Sequence, residues 1–179
     1  MRTAILFAIT LPLAACAQSG QRERGGQSPQ PFASGPTTPV VVTAPDVAVL
    51  AGLPQAIRSG YTVYVSGMVP LDSAGRLVGA GDLTAQTKQA VTNLGAVMRA
   101  AGGVLGDVVR ATVYVRDLDA AKVTTVRKAL LDNLDRASPP AVTIIGVAAF
   151  PERGIELTIE AIGQLRSQFP DRTRMTRRR

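Results

Sequence analysis

The sequence predicts an α+β domain in which one mixed sheet carries two helices on the same face. Two segments, residues 83–101 and 119–138, place apolar residues at the three- and four-residue spacing of a helix face. Short runs rich in β-branched and aromatic residues, typical of strands, lie before, between and after them. Because a strand separates the two helical segments, we expect both helices to pack on one side of the sheet.

Length and charge favour a single neutral domain with basic extensions. The 179-residue chain has a net charge of +7, but residues 46–165 hold eleven basic and eleven acidic residues, so this part is neutral. Residues 1–45 contribute +2 and residues 166–179 contribute +5. The chain has no histidine and one cysteine, which excludes histidine-based metal sites, Ser-His or Cys-His nucleophiles and an intrachain disulfide. We expect no cofactor.

The N-terminus has the pattern of an export signal. Residues 1–15 combine an early arginine with an apolar run that is too short to span a bilayer. The Leu13-Ala-Ala-Cys16 ending resembles a bacterial lipobox, which implies a lipid on Cys16; the alternative is an ordinary secretory signal with an incidental cysteine. Ala17 in place of aspartate favours, by the same resemblance, the periplasmic side of an outer membrane. Residues 16–39 are poor in large apolar side chains and predict a flexible tether, so the domain is expected at 40–165.

The first half of the domain predicts strands followed by a helix. Strands are expected at 40–43, 55–58 and 61–69, the last one central and stopped by Pro70, with a short edge strand at 76–78 after a turn. The first helix is predicted over 83–101 and stops at Gly102-Gly103. Its apolar face is formed by Val91, Leu94, Met98 and Ala101.

The second half predicts a strand, a helix and a hairpin. A strand is expected at 107–116, and Asp119 is placed to cap the second helix. The apolar face of that helix is formed by Val123, Val126, Leu130 and Leu134. After Pro139-Pro140, residues 141–150 carry no charge and predict a strand buried on both faces, and residues 155–162 alternate apolar and polar. A turn at 151–154 predicts that the two strands pair as a hairpin, which we expect to hold the binding site. A sheet apolar on both sides further predicts oligomerisation through the second face.

The basic C-terminus, residues 166–179, lacks periodicity and is predicted to be disordered. An anionic envelope surface is the favoured partner, because no aromatic residues interleave with the six arginines and the context is export. A merely solvated tail is the alternative. Specific nucleic-acid binding is not expected.

Six short blocks resemble the RidA (YjgF-like) superfamily. They are Tyr64-Val-Ser-Gly-Met-Val-Pro-Leu-Asp72, Ala85-Gln-Thr-Lys-Gln-Ala90, Ala100-Ala-Gly-Gly103, Asp107-Val-Val-Arg-Ala-Thr-Val-Tyr-Val-Arg-Asp-Leu118, Pro139-Pro-Ala141 and Ile159-Glu-Ala-Ile162. The resemblance covers about residues 45–164 and implies a chorismate-mutase-like subunit. It also implies a homotrimer around a central β-barrel, with clefts at the subunit interfaces. The resemblance further implies that deaminating members hydrolyse reactive imines made by pyridoxal-phosphate enzymes. Some members have been labelled ribonucleases, which nothing in these residues supports.

The same resemblance identifies candidate ligand-binding positions, most of them altered. The family arginine that binds a substrate carboxylate falls at Val142, and the glutamate that orients water falls at Thr158. The family's tyrosine, asparagine and cysteine fall at Leu53, Thr125 and Ile144, while Ser66 and Gly67 are retained. No catalytic residue is assigned.

Three interpretations of these changes remain open. The pocket is retuned for a less polar or neutral small ligand, it is filled by packing side chains, or it retains imine hydrolysis through Glu156 or Glu160. An envelope scaffold that acts through its arginine tail is a further alternative. A valine cannot donate hydrogen bonds to a carboxylate, so the sequence predicts little or no activity on 2-imino acids.

Overall fold

The computed structural model describes residues 38–48 and 52–166. The strands are β1 (Val40–Val42), β2 (Ala56–Ser59), β3 (Thr62–Met68), β4 (Val108–Arg116), β5 (Ala141–Val147) and β6 (Leu157–Gln164). The helices are α1 (Leu83–Ala100) and α2 (Ala120–Asn133), and a 3₁₀ turn over Leu105–Asp107 precedes β4. The strands form one six-stranded mixed sheet in the order β1-β2-β3-β6-β4-β5. The α+β prediction is therefore confirmed.

Both helices begin and pack as their sequences predict. The Asp82 carboxylate accepts hydrogen bonds from the amides at the start of α1, and Asp119 does the same for α2. The four residues predicted for the apolar face of the first helix are at most 2% exposed. Helix α1 packs on β3 and β6, and α2 packs on α1, so the helices share one side of the sheet. In α2, Val126 and Leu130 are buried whereas Val123 and Leu134 are half-buried.

The predicted hairpin is wrong. β5 pairs in parallel with β4, while β6 lies between β3 and β4 and is antiparallel to both. Helix α2 returns the chain to the end of the sheet where β4 began, so β5 must run in the same direction as β4. The alternation predicted for β6 is confirmed, because Ile155, Leu157, Ile159 and Ala161 are at most 5% exposed.

Two further expectations about strands are also wrong. The segment 76–78 forms no strand, and only an isolated bridge joins Leu71 to Leu77. β5 is an edge strand, not one buried on both faces, and Val142 and Ile145 are about 40% exposed. An uncharged run of residues occurs both in strands buried within a sheet and in edge strands whose outer side is open. Such a run therefore does not distinguish the two.

The face of the sheet opposite the helices is less apolar than predicted. It presents Tyr64, Arg110, Thr112 and Glu160 around Ile162, which together line a cavity of about 300 Å³. The sequence therefore predicted a more apolar second face than the structure has. This face is nevertheless open in the chain, since Tyr64 is 52% exposed.

The two predicted extensions fall mostly outside the described residues. The signal segment, Cys16 and the tether up to residue 37 are not described, and neither are residues 167–179. Arg166, the first residue of the predicted tail, lies on the domain, and its Nε donates to Asp107 Oδ1 at 2.9 Å. Among the residues described, no helix is long and apolar enough to cross a membrane.

Candidate functional site

A cleft at the C-terminal end of β3 brings four of the predicted site residues together. This β3 cleft has a volume of about 510 Å³ and is lined by Leu53, Ser66, Gly67 and Thr158 among others. Leu53 is 63% exposed at its mouth. The end of β3, the start of β6 and the segment before β2 meet here, because β3 pairs with both β2 and β6.

Hydrogen bonds within the protein already use the side-chain donors of the β3 cleft. Ser66 Oγ donates to Pro54 O at 2.7 Å, and Thr158 Oγ1 donates to Met68 O at 3.2 Å. The amide of the buried Asn93 donates to two backbone carbonyls at 2.9 Å each. The two hydroxyl oxygens keep lone pairs that can accept from a ligand. The cleft is thus rich in acceptors and poor in free donors.

The charge of the β3 cleft is unsuited to an anion. No lysine or arginine is among its described lining residues, and Glu152 contributes a carboxylate. Among the described lining residues, a ligand carboxylate placed here would find neither a cation nor a free side-chain donor. Leaving such a group unpaired costs roughly 1–3 kcal/mol or more.

Close contact between Gly67 and Thr158 shapes the floor of the cleft. A Cβ at position 67 would lie 2.8 Å from Thr158 Oγ1, which is closer than real Cβ contacts. Glycine is therefore required at this position for Thr158 to keep its hydrogen bond with Met68 O. The retained Gly67 has a structural reason that does not depend on a ligand.

Two other predicted residues line a separate groove between α2 and β5. This α2/β5 groove has a volume of about 410 Å³ and is lined by Val142 and Ile144 with the apolar residues of α2. Arg127, Asp135 and Arg136 also line this groove. The seventh predicted residue, Thr125, lines neither cavity, and its hydroxyl donates to Ala121 O one turn back along the helix.

The two groups of residues lie on opposite faces of the sheet. Val142 pairs with Ala111, which pairs with the buried Ala161 on the helix side. Thr158 is three positions from Ala161 along β6, so its side chain faces the other side. Within one chain, a small ligand cannot contact both Thr158 and Val142.

Comparison with known proteins identifies the family. The family model described as Endoribonuclease L-PSP matches residues 43–164, which contain β2 to β6 and both helices. The chain belongs to the RidA (YjgF-like) superfamily. The mouse member named 2-iminobutanoate/2-iminopropanoate deaminase is 38% identical over 125 residues, 69% of this chain and 88% of the mouse protein. A RutC family protein of Pyrococcus abyssi is 35% identical over 109 residues, 60% of this chain and 82% of the relative.

A solved RidA structure supports the same fold. RidA from the Antarctic bacterium Psychrobacter is 31% identical, with a TM-score of 0.62. The similarity covers 70% of this chain and 98% of the Psychrobacter chain. The Psychrobacter chain therefore forms the whole RidA fold although it lacks counterparts of the two extensions of this chain.

The two glutamates considered for an altered RidA chemistry are engaged elsewhere. The Glu156 side chain is 16% exposed, and it accepts from Arg116 and from Lys122 Nζ at 3.3 Å. Glu160 accepts from the Tyr114 hydroxyl at 2.8 Å. This hydrogen bond is the main cause that raises the pKa of Tyr114. Neither glutamate lines the β3 cleft.

Sequence reasoning missed several residues of the β3 cleft. Gln55 and Asn93 are buried polar residues whose side chains bind backbone carbonyls, and Phe150 and Glu152 come from the turn before β6. Asn93 lies directly beside Leu94 on the buried face of α1. A polar residue at a buried helix position is the sequence signal that could have identified Asn93 as a site residue. Glu152 gave no signal beyond that of an ordinary turn residue.

Proposed function

We propose that this RidA-superfamily chain is an exported, lipid-anchored protein that binds a small ligand in clefts between the subunits of a homotrimer, with little or no imine deaminase activity. The ligand is neutral or less polar than a 2-imino acid. The observation that carries the proposal is the chemistry of the β3 cleft: its described lining residues offer acceptors and a carboxylate but no lysine or arginine, and the Ser66 and Thr158 hydroxyl donors are already bonded.

Division of the site residues supports a cleft between subunits. Thr158 and Val142 face opposite sides of the sheet in one chain, so a ligand that contacts both positions needs two chains. β5 is an uncovered edge strand without charged residues, and such an edge is suited to coverage by a second copy. A homotrimer accounts for both features.

Loss of deaminase activity follows from the residues at the two altered positions. A bidentate arginine contact positions a carboxylate by charge-assisted hydrogen bonds, and Val142 offers none. A carboxylate that orients water provides acid-base help of typically 10²- to 10⁴-fold, and Thr158 has a hydroxyl that already donates to Met68 O. Together these changes remove both positioning and proton transfer.

A second candidate function is imine deamination with altered residues. The name of the mouse relative, at 38% identity, favours it. In this chain, Glu152 is the one carboxylate among the described lining residues of the β3 cleft, so it would be the candidate base. Glu152→Gln would then abolish the activity.

The deciding experiment measures imine hydrolysis coupled to a pyridoxal-phosphate dehydratase. Wild type is compared with Val142→Arg and with Val142→Arg plus Thr158→Glu. Val109→Arg is the matched control, because Val109 is an exposed apolar strand residue outside both cavities. We expect no wild-type activity and a gain in the double variant. Wild-type rates near those of an arginine-containing relative contradict the proposal and favour the deaminase.

Assembly and export need separate measurements. Light scattering on residues 38–179 should give the mass of three chains, and a stable monomer at micromolar concentration contradicts the shared cleft. Mass spectrometry of the membrane fraction should find diacylglyceryl on Cys16. An unprocessed N-terminus would remove the anchor and the localisation.

A further inference from the structure

We propose that the β3 cleft binds a small amine that is protonated at neutral pH and that carries an apolar group but no carboxylate. This inference rests on the proposed function and narrows its ligand to one chemical class. Three features of the described lining support it: side-chain donors that are already used within the protein, one carboxylate without a described partner, and an apolar wall.

Backbone carbonyls fix the direction of the hydrogen bonds at Ser66 and Thr158. The Ser66 hydroxyl contacts Pro54 O at 2.7 Å, and the Thr158 hydroxyl contacts Met68 O at 3.2 Å. A carbonyl oxygen can only accept, so each hydroxyl donates its one hydrogen to the protein. Towards a ligand, both hydroxyl oxygens then act only as acceptors. Such partners suit an N–H group and offer no hydrogen bond to a carbonyl or carboxylate oxygen.

The two amide side chains that line the cleft keep no donor either. Asn93 Nδ2 donates to two backbone carbonyls at 2.9 Å each, and Gln55 Nε2 donates to Ala44 O at 3.2 Å and to Val47 O at 2.7 Å. An amide nitrogen has two hydrogens, so these bonds use both of them. Together with the two hydroxyl residues, these amides complete the side-chain donors of the described lining. The side chains of this lining therefore offer a ligand acceptors alone.

Glu152 gives this acceptor-rich cleft a negative charge. The residue is exposed in the turn before β6, and its side chain makes no hydrogen bond or ion pair with a described residue. No lysine or arginine of the described lining neutralises it. An ammonium group has three N–H donors and a positive charge, so it suits both the carboxylate and the two hydroxyl oxygens. Hydrogen bonds between ionised partners are the stronger kind, which favours a protonated amine over a neutral donor.

Apolar side chains determine the rest of the ligand. Leu53, Met68, Val69 and Phe150 line the same cleft, whose volume of about 510 Å³ is sufficient for a small organic molecule. A bare ammonium ion would leave this apolar wall in water, whereas an attached hydrocarbon group covers it and gains from the burial. An aromatic ring such as that of Phe150 also attracts a cation placed over its face. The ligand is therefore an amine with an apolar body.

Three probes with the same phenylethyl body separate the ligand classes: 2-phenylethylamine, 2-phenylethanol and 3-phenylpropanoate. They carry an ammonium, a hydroxyl and a carboxylate on that body, and the amine is protonated at neutral pH as a lysine side chain is. NMR titration at neutral pH and physiological ionic strength gives the dissociation constant of each probe with residues 38–179. This part contains the whole RidA fold, which the Psychrobacter relative forms without the extensions.

We expect the amine to bind most tightly and the carboxylate most weakly. A charge-assisted hydrogen bond should favour the amine over the alcohol by about tenfold in affinity. The carboxylate, left unpaired near Glu152, should bind at least roughly tenfold more weakly than the alcohol. Equal affinities of the amine and the alcohol, or no binding of the amine up to millimolar concentration, overturn the inference.

Glu152→Gln tests the carboxylate at nearly constant side-chain shape. The amine should lose about tenfold in affinity, while the alcohol should change by less than about twofold because a neutral acceptor remains. Asp117→Asn is the matched control, since Asp117 is an exposed acidic residue outside the cleft. Asparagine also tolerates the left-handed backbone at this position, where φ is 46°. Equal losses of amine affinity in the two variants would indicate a general effect of net charge and overturn the assignment of Glu152.

Glu152→Lys reverses the charge at the same exposed position. We expect 3-phenylpropanoate to bind this variant more tightly than 2-phenylethylamine does, because the cleft then offers a cation and N–H donors to a carboxylate. A variant that still prefers the amine shows that Glu152 does not determine the ligand class, which contradicts the inference.

Failure of this inference and failure of the proposed function give different results. If the alcohol binds the wild type as tightly as the amine, the inference is wrong but the proposed site for a neutral ligand stands. If 3-phenylpropanoate binds the wild type most tightly, both are wrong, because a cation then serves the cleft. Arg127, which lines the α2/β5 groove with Val142, is the candidate for that cation if a second chain brings the groove to the cleft.

Discussion

Replacement of Gln86 by leucine tests how the segment before β6 is held. Gln86 is fully buried and binds three backbone groups: its Nε2 donates to Gly79 O at 3.0 Å and to Gly154 O at 2.8 Å, and its Oε1 accepts from Glu156 N at 2.8 Å. Gly79 O keeps a second partner, the amide of Asp82, so leucine leaves two groups unpaired. At roughly 1–3 kcal/mol for each buried unpaired group, partly offset by the apolar side chain, the expected cost is about 3 kcal/mol.

Thermal and denaturant unfolding at one fixed chain concentration measure this cost, because the apparent stability of an oligomer depends on concentration. We expect the melting temperature to fall by about 10 °C. Lys88→Leu is the matched control on the same helix, since Lys88 is exposed and its replacement leaves no buried group unpaired. The control should cost no more than about 1 kcal/mol. Equal destabilisation by the two variants would refute the assignment of Gln86 as the residue that holds the segment.

Two further predictions concern the β3 cleft and the open face of the sheet. Gly67→Ala should destabilise the domain by about 1–3 kcal/mol, because its Cβ would lie 2.8 Å from Thr158 Oγ1. Thr158→Ala in that background should recover most of the loss, and an additive double-mutant cycle would contradict the contact. Glu160→Gln should lower the pKa of Tyr114, because the Glu160 hydrogen bond is the main cause that raises it, and a phenolate absorbance titration measures the change. Because the pKa of Tyr114 is higher in the folded than in the unfolded protein, its contribution to stability is present below pH 10.0 and is lost as the pH rises through the folded-state pKa. An unchanged phenolate titration in Glu160→Gln contradicts the assignment of Glu160 as the main cause.

Local features of the fold were predictable because local chemistry determines them. The spacing of Val91, Leu94 and Met98 covers about two turns of one helix. The capping carboxylate of Asp119 acts within the first turn. The pairing of β5 and β6 depends instead on where α2 delivers the chain. A strand, a helix and a strand in succession predict parallel neighbours, and that rule favours the observed β4–β5 pair over the hairpin. The short run of turn residues at 151–154 was a weaker signal for strand pairing, because it permits a hairpin without requiring one.

The candidate site was predictable only through resemblance to the family. Ser66, Gly67, Leu53 and Thr158 line one cleft, yet no spacing in the sequence indicates that they meet. The residues that give the cleft its acceptor character include Glu152, which no motif marks. The division of the site over two faces of the sheet could not be derived before the register was known, because it follows from the three-residue offset between Thr158 and Ala161.

Val142 links the ligand site to the proposed assembly. It lies on an edge strand and is 40% exposed, and an uncovered edge strand without charges is prone to pair with another chain. The family resemblance implies an arginine at this position in deaminating relatives, so we expect the cleft of the proposed assembly to accommodate a cation there. Val142→Arg should therefore leave the mass from light scattering unchanged while it alters the ligand chemistry. If the variant instead dissociates, β5 is covered by close packing of a second chain, and the α2/β5 groove serves assembly rather than ligand binding.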